Sequence, residues 1–111
     1  MKTKQHALPA EAGVKQDGSK LRLDLLPVDA LEEIAKVLQF GATKYGDRNW
    51  EKGLLYSRVY GAALRHLFAW WRGEDNDSET GLSHLAHAGC EVMFALAFVL
   101  RKKNELDDRP Q

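Results

Sequence analysis

Three of the four histidines and one glutamate have a spacing that could bind metal. His84, His87 and Glu91 lie at positions i, i+3 and i+7, so they share one face of a predicted helix. That stretch is otherwise apolar, and a buried polar side chain needs a partner. Imidazole nitrogens and carboxylates are common metal ligands. With His66 from the preceding predicted helix, they could form a divalent-metal site; the alternative is a set of hydrogen-bonded core residues.

The segment that joins the two histidine-bearing helices is acidic, with four acids between residues 74 and 79. Acids at the start of a helix often only complement the helix dipole and increase solubility. Asp77 or Ser78 could cap the third helix in this way. Carboxylate oxygens also bind Mg²⁺ or Mn²⁺. We therefore predict that Glu74 and Asp77 act with His66 in catalysis, and that Asp77 is also a metal ligand.

A long loop of mixed chemistry is predicted between the first two helices, at residues 41–56. Its basic side chains could bind phosphate oxygens, its aromatic rings could stack on a base, and its amide could hydrogen-bond an adenine edge. Loops of this length in a compact domain are often functional. The alternative is a surface loop whose aromatic side chains cover the edge of the core. The side chains concerned are Lys44, Tyr45, Arg48, Asn49 and Trp50.

Three helices must position these groups, and strand signals are weak, so we predict an all-α fold: a small helical bundle with three main helices. Apolar spacing places the helices at about residues 29–41, 57–72 and 78–103. Asp29 is the predicted N-cap of the first helix, and Gly41 is its predicted stop. An extended segment is predicted to precede it.

The second predicted helix is apolar on most sides. Only Arg58, Arg65 and Arg72, seven residues apart, form a polar stripe along it. A helix of this kind is buried on most sides. Three helices from a chain of 111 residues can hardly cover it, so we expect a homo-oligomer, a homodimer or a homotetramer.

Length and charge exclude several classes of protein. The chain fits a flexible arm at residues 1–18, one domain at 19–104 and a polar tail at 105–111. Its 16 basic and 16 acidic residues balance, which disfavours a nucleic acid polymer as partner. The longest apolar run, Val92–Leu100, is far shorter than the ~20 residues that span a bilayer. Because Cys90 is the only cysteine, no internal disulfide forms, and we expect a cytoplasmic protein that binds no membrane.

Several motifs together resemble one known family. The likeness covers about residues 18–100, and its motifs are the runs Lys20–Pro27, Phe40–Gly53 and His84–His87, the pairs Arg65–His66 and Gly73–Glu74, and the single residues Asp77 and Gly81. In these motifs the chain resembles the dATP/dGTP diphosphohydrolases of bacteriophages and bacteria, which are associated with MazG-like all-α nucleoside triphosphate pyrophosphohydrolases. The resemblance implies cleavage of dGTP or dATP to the monophosphate and pyrophosphate. It also implies a phage source and a place in the host cytoplasm.

The chain departs from the wider MazG pattern in its expected metal ligands. That pattern holds Mg²⁺ with a Glu-x-x-Glu helix and a Glu-x-x-Asp helix. Here His84 and His87 stand where the Glu-x-x-Asp would fall, and His66 lies in the region of the earlier acidic helix. An alternative register that uses Glu32–Glu33 is broken by Lys36. Mg²⁺ or Mn²⁺ is the expected cofactor, although imidazole ligands suit Mn²⁺ and other transition metals better than Mg²⁺.

The resulting hypothesis is a metal-dependent nucleotide pyrophosphohydrolase. The expected metal ligands are His66, Asp77, His84, His87 and Glu91. The expected phosphate contacts are Lys20, Arg22, Lys44, Arg48 and Arg65. Three alternatives stay open: an enzyme that releases whole triphosphate, a non-catalytic helical module that binds a partner protein, and a nucleotide sensor that does not hydrolyse its ligand.

Overall fold

The computed structural model describes residues 10, 12–16 and 18–111. Within that part of the chain the fold is all-helical, with three α-helices, three short 3₁₀ helices and no strand. This confirms the predicted all-α class with three main helices. Most of the predicted N-terminal arm lies outside the described residues. No helix in the described part combines the length and apolar character needed to cross a membrane.

The helices follow in chain order. The α-helices are α1 (Val28–Tyr45), α2 (Tyr56–Trp71) and α3 (His84–Leu100). The 3₁₀ helices are Leu23–Leu25, Asn49–Lys52 and Asn104–Leu106. The predicted extended segment before α1 therefore contains a 3₁₀ turn.

Helix α1 begins earlier and ends later than the sequence predicts. It starts at Val28, so Asp29 lies in its first turn and not at its N-cap. It continues through Gly41 and ends at Tyr45, and the residue that follows is Gly46, whose φ of 97° suits glycine. Gly41 does not stop the helix because a glycine costs only about 1 kcal/mol in a helix interior. The beginning of the predicted loop, up to Tyr45, is therefore helical.

Helix α3 is shorter than predicted at both ends. It begins at His84, and the hydroxyl of its N-cap, Ser83, accepts a backbone N–H of the first turn. It ends at Leu100. Asp77 is therefore not a helix cap. The connector is closed before the helix starts by an antiparallel bridge between Asn76 and Ser83, which delays the first helical turn.

A small hydrophobic core joins α1 to α3. Val37 of α1 packs with Ala86 and Cys90 of α3, and Phe98 of α3 is 1% exposed. Helices α2 and α3 form the most extensive contact, and α1 also packs on α3. This arrangement brings the second half of α2 beside the first half of α3, where the histidines lie.

The tail is docked on the start of α2. The carboxylate of Asp108 accepts the backbone N–H of Ser57 at 2.8 Å and also contacts its hydroxyl. Leu106 lies against Gly53, 3.1 Å from where a Cβ at that glycine would stand. Gly53 has a φ of 110°, which other residues rarely adopt. The tail thereby caps the helix that carries His66.

Candidate metal and nucleotide site

Three of the predicted metal ligands meet where α2, the connector and α3 converge. His66, Asp77 and His84 each offer one ligand atom, and these atoms lie within 4.8 Å of one another. Nδ1 of His66 is 2.9 Å from Nδ1 of His84 and 3.9 Å from Oδ2 of Asp77. Two ligands bound to one ion at about 2.0–2.1 Å stand about 2.9–3.4 Å apart. The histidine pair therefore has the spacing to share either a proton or a cation.

His84 is the buried polar residue of this cluster, with 5% of its surface exposed. Its Nε2 has no hydrogen-bond partner among the described residues. Oε1 of Glu74 lies 3.5 Å away, without the alignment of a hydrogen bond. Buried polar atoms almost always have a partner. The unpaired Nε2 of His84 is therefore available to a cation or to a water molecule.

The connector holds Asp77 in place through its own backbone. Oδ1 of Asp77 accepts the N–H of Glu79 at 2.8 Å and that of Thr80 at 3.0 Å, while Oδ2 faces His66. Burial alone would raise the pKa of the Asp77 carboxyl. The two N–H donors and the nearby His87 and His66 instead hold this pKa below its ordinary value. Asp77 is therefore ionised at neutral pH and can bind a cation.

His87 lies beside the three-residue cluster. Its ring stacks on His66, with ring centroids 4.4 Å apart and planes 7° apart, and its Nε2 is 2.7 Å from Oγ1 of Thr80. Burial lowers the pKa of both His66 and His87, and charge repulsion from His84 lowers both further, against the opposing charge of Asp77. Both imidazoles are therefore neutral at pH 7, the state that a metal ligand requires.

A cleft of about 990 Å³ adjoins the cluster, at the upper end of the roughly 300–1,000 Å³ of ligand pockets. The end of α1 and the segment after it line the cleft together with α2, the connector and α3. The structure thus brings together two groups of residues that the sequence placed far apart. The predicted site residues that line it are Lys44, Tyr45, Arg48, Asn49, Trp50, His66, Asp77, His87 and Glu91.

The two aromatic candidates for base stacking differ in accessibility. The indole of Trp50 stacks on Phe94, with centroids 4.7 Å apart, and the guanidinium of Arg101 lies 5.2 Å over the same ring. This is the packing role that the sequence left as the alternative for an aromatic residue of the loop. Tyr45, in contrast, is 62% exposed. Tyr45 therefore offers the more accessible ring at the cleft.

Two of the predicted phosphate contacts stand at the cleft. Nζ of Lys44 is 3.3 Å from Glu79, and Nη1 of Arg48 is 3.6 Å from Glu51. The basic members of both pairs are well exposed, and exposed ion pairs contribute at most about 1 kcal/mol. Lys44 and Arg48 can therefore exchange these partners for a phosphate at little cost.

The other predicted site residues lie away from the cleft lining. Lys20 and Arg22 line a separate pocket, where Arg22 donates two hydrogen bonds of 2.8 Å to Asp24. Arg65 is exposed on α2, and its charge acts on the pKa of Glu91, which lines the cleft. Glu74 lies beside the cluster, with its Oε1 3.5 Å from Nε2 of His84. In the described part of a single chain, Lys20 and Arg22 therefore do not join the histidines.

Sequence reasoning missed Thr80. Its hydroxyl contacts His87, and it accepts the N–H of Leu82 at 3.1 Å, so it ties the connector to α3. A signal for it was present, because Asp77 followed by a threonine three residues later is typical of a turn closed by side chains. Its contact with His87 depends on the conformation of the connector, which the spacing of apolar residues does not predict.

Comparison with known proteins agrees with the family inferred from the motifs. The family described as dATP/dGTP diphosphohydrolase, N-terminal, matches residues 10–109. The chain belongs to this family, which confirms the resemblance.

A particular relative gives the same result. The chain is 40% identical over 97 residues to a dATP/dGTP diphosphohydrolase of Salmonella phage PMBT28. The alignment covers 87% of this chain and 33% of that protein, so the chain spans about a third of the length of the curated relative it matches. No solved structure matches the chain significantly.

Proposed function

We propose that this chain is a metal-dependent phosphohydrolase that converts dGTP or dATP to the monophosphate and pyrophosphate. The observation that carries the proposal is the cluster of His66, Asp77 and His84 beside a cleft with basic and aromatic side chains. The family name and the name of the phage relative support the nucleotide class.

The donor set of the cluster suits a divalent metal. His66, His84 and Asp77 would hold the ion, with Glu74 beside the unpaired nitrogen of His84. When bound, divalent ions neutralise phosphate charge and supply Lewis acidity. Mg²⁺ and Mn²⁺ are the proposed cofactors, and two imidazoles with one carboxylate favour Mn²⁺ over Mg²⁺.

In this proposal the nucleotide would lie in the cleft with its triphosphate towards the cluster. Lys44 and Arg48 would contact phosphate oxygens, because both side chains are exposed and their ion pairs are weak. The exposed ring of Tyr45 would stack on the base. Asn49 lines the same cleft and would contact the base or the sugar.

His87 would accept a proton from the attacking water. If its Nε2–H donates to Oγ1 of Thr80, its Nδ1 carries a free lone pair. The pKa of His87 is lowered by burial, so this nitrogen is unprotonated at neutral pH. Hydrolysis then needs one water and yields the monophosphate and pyrophosphate, with the proton held on His87 until release.

The test is a panel of deoxynucleoside and nucleoside triphosphates with Mn²⁺ or Mg²⁺, with products separated by chromatography. We expect pyrophosphate with dGMP or dAMP, full loss with EDTA, and a loss of about 10–100-fold or more for His84→Ala. The exposed Glu105→Gln, outside the cleft, is the control. Release of whole triphosphate would contradict the cleavage position, and no turnover with any metal would overturn the proposal.

We also propose that the functional unit is a homodimer or homotetramer, assembled in the MazG-like manner. The support is a set of exposed apolar side chains at helical spacing on α2 and α3, because neighbouring exposed apolar side chains often mark a protein–protein interface. On α2 they are Tyr60, Leu67 and Trp71, and on α3 they are Leu85, Val92, Leu96 and Val99.

A further inference from the structure

One face of α3 leads from the metal cluster to an aromatic pair. His84, His87, Glu91 and Phe94 lie at positions i, i+3, i+7 and i+10 of the helix, so they follow one another along this face. His84 belongs to the cluster, and Phe94 stacks on Trp50. A rise of 1.5 Å per residue places Glu91 about 10 Å along the helix from His84. Glu91 therefore lies between the two, and it lines the same cleft.

The carboxylate of Glu91 has little compensation within the protein. Burial raises the pKa of the Glu91 carboxyl, and only the charge of Arg65 opposes this effect. No hydrogen bond from a described residue contributes. An ionised carboxylate is an acceptor-only group with two oxygens. A ligand that brings two adjacent donors into the cleft would therefore stabilise this side chain.

We propose that Glu91 accepts hydrogen bonds from the Watson–Crick edge of guanine, and so makes the site prefer guanine to adenine nucleotides. The inference rests on the proposed nucleotide site. Guanine presents N1–H and its 2-amino group as neighbouring donors, which match two carboxylate oxygens. Adenine presents an acceptor at N1, which a carboxylate repels.

The position of Glu91 along α3 supports a contact with the base. In a nucleotide the base lies beyond the sugar from the phosphates. Glu91 stands about two helical turns from His84, whereas the metal would hold the phosphates near His84 itself. Glu91 also lies outside the group of residues whose ligand atoms converge within 4.8 Å. This position argues against a direct role of Glu91 as a metal ligand. The experiment must still distinguish base recognition from metal binding.

The first experiment compares kcat/KM for dGTP, dITP and dATP in the full chain with Mn²⁺. For Glu91→Gln we expect a loss of about 10–100-fold with dGTP and a change within about threefold with dATP. dITP lacks the 2-amino group, so we expect the wild type to have a lower kcat/KM for dITP than for dGTP. The Glu91→Gln substitution should also lower kcat/KM less for dITP than for dGTP. Glu105→Gln, an exposed carboxylate outside the cleft, should leave the base preference unchanged. Equal losses with all three nucleotides would overturn the inference and favour metal ligation.

A binding measurement separates this inference from the proposed hydrolysis. The affinities of dGMP and dAMP are measured in EDTA from tryptophan fluorescence, which Trp50 in the cleft can report. Tighter binding of dGMP, abolished in Glu91→Gln, would support the inference even if no triphosphate were hydrolysed. Equal affinities of the wild type for dGMP and dAMP would overturn it even if hydrolysis occurred.

Discussion

His66 and His87 are two partly buried imidazoles whose protonation links the stability of the metal-free protein to pH. Burial and neighbouring positive charge lower the pKa of both below 6.5, the ordinary value. The unfolded chain therefore binds these protons more tightly than the folded chain does. Their contribution to stability is complete above about pH 6.5 and is lost as the pH falls through that value towards the lowered pKa values.

We accordingly expect the melting temperature of EDTA-treated protein to fall between about pH 7.5 and pH 5. His87→Asn should flatten this profile, because one of the two titrating groups is removed. The measurement is thermal unfolding followed by circular dichroism at a series of pH values. A wild-type profile that stays flat over this range would contradict the assignment of neutral, partly buried imidazoles.

At the scale of residues, the sequence predicted neighbours better than it predicted roles. The i, i+3 spacing placed His84 and His87 on one face of α3, and His66 lies beside them in the structure. The spacing could not show that His87 stacks on His66 and contacts Thr80, because both contacts depend on how α2 and the connector pack. Trp50 shows the same limit, since its contact with Phe94 joins residues 44 positions apart.

At the scale of elements, two glycines provide a matched pair of substitutions. Gly41→Ala should stabilise the protein by about 0.5–1 kcal/mol, because Gly41 lies inside α1 and an added Cβ meets nothing within 4 Å. Gly53→Ala should destabilise it by about 1–3 kcal/mol, because Gly53 has a positive φ and its Cβ would stand 3.1 Å from Leu106. Urea unfolding measures both values. Changes of the same sign would contradict the boundaries described for α1 and the docking of the tail.

The existence of the three helices could be predicted, while their ends could not. Apolar spacing identified each helix because it reports the face that packs on the core. The ends depend on weaker local preferences. Gly41 therefore did not end α1, which continues to Tyr45. The start of α3 was set by the bridge between Asn76 and Ser83, a tertiary feature of the connector that helix signals do not contain.

At the scale of the whole molecule, the exposed apolar stripes of α2 and α3 predict self-association. Leu96 on α3 is 55% exposed, and Trp71 on α2 is 81% exposed. We expect Leu96→Glu to shift the protein towards monomer, because a charge at the centre of an apolar interface is costly. Light scattering after size exclusion gives the mass directly. Thr43→Glu adds the same charge on the exposed surface of α1 and serves as the control; a monomeric wild type would contradict the prediction.

The hydrogen-bonded contact between Asp108 and Ser57, here called the clasp, has a consequence for the order in which the chain folds. It joins residues 51 positions apart, and the ring it closes contains the metal cluster and Glu91. Closing a flexible ring of this size costs about 3–4 kcal/mol of entropy, more than one hydrogen-bonded contact returns. The clasp therefore forms only after the helices inside the ring have packed. Residues 57–108 are thus the shortest stretch in which these site residues and the clasp itself are held together.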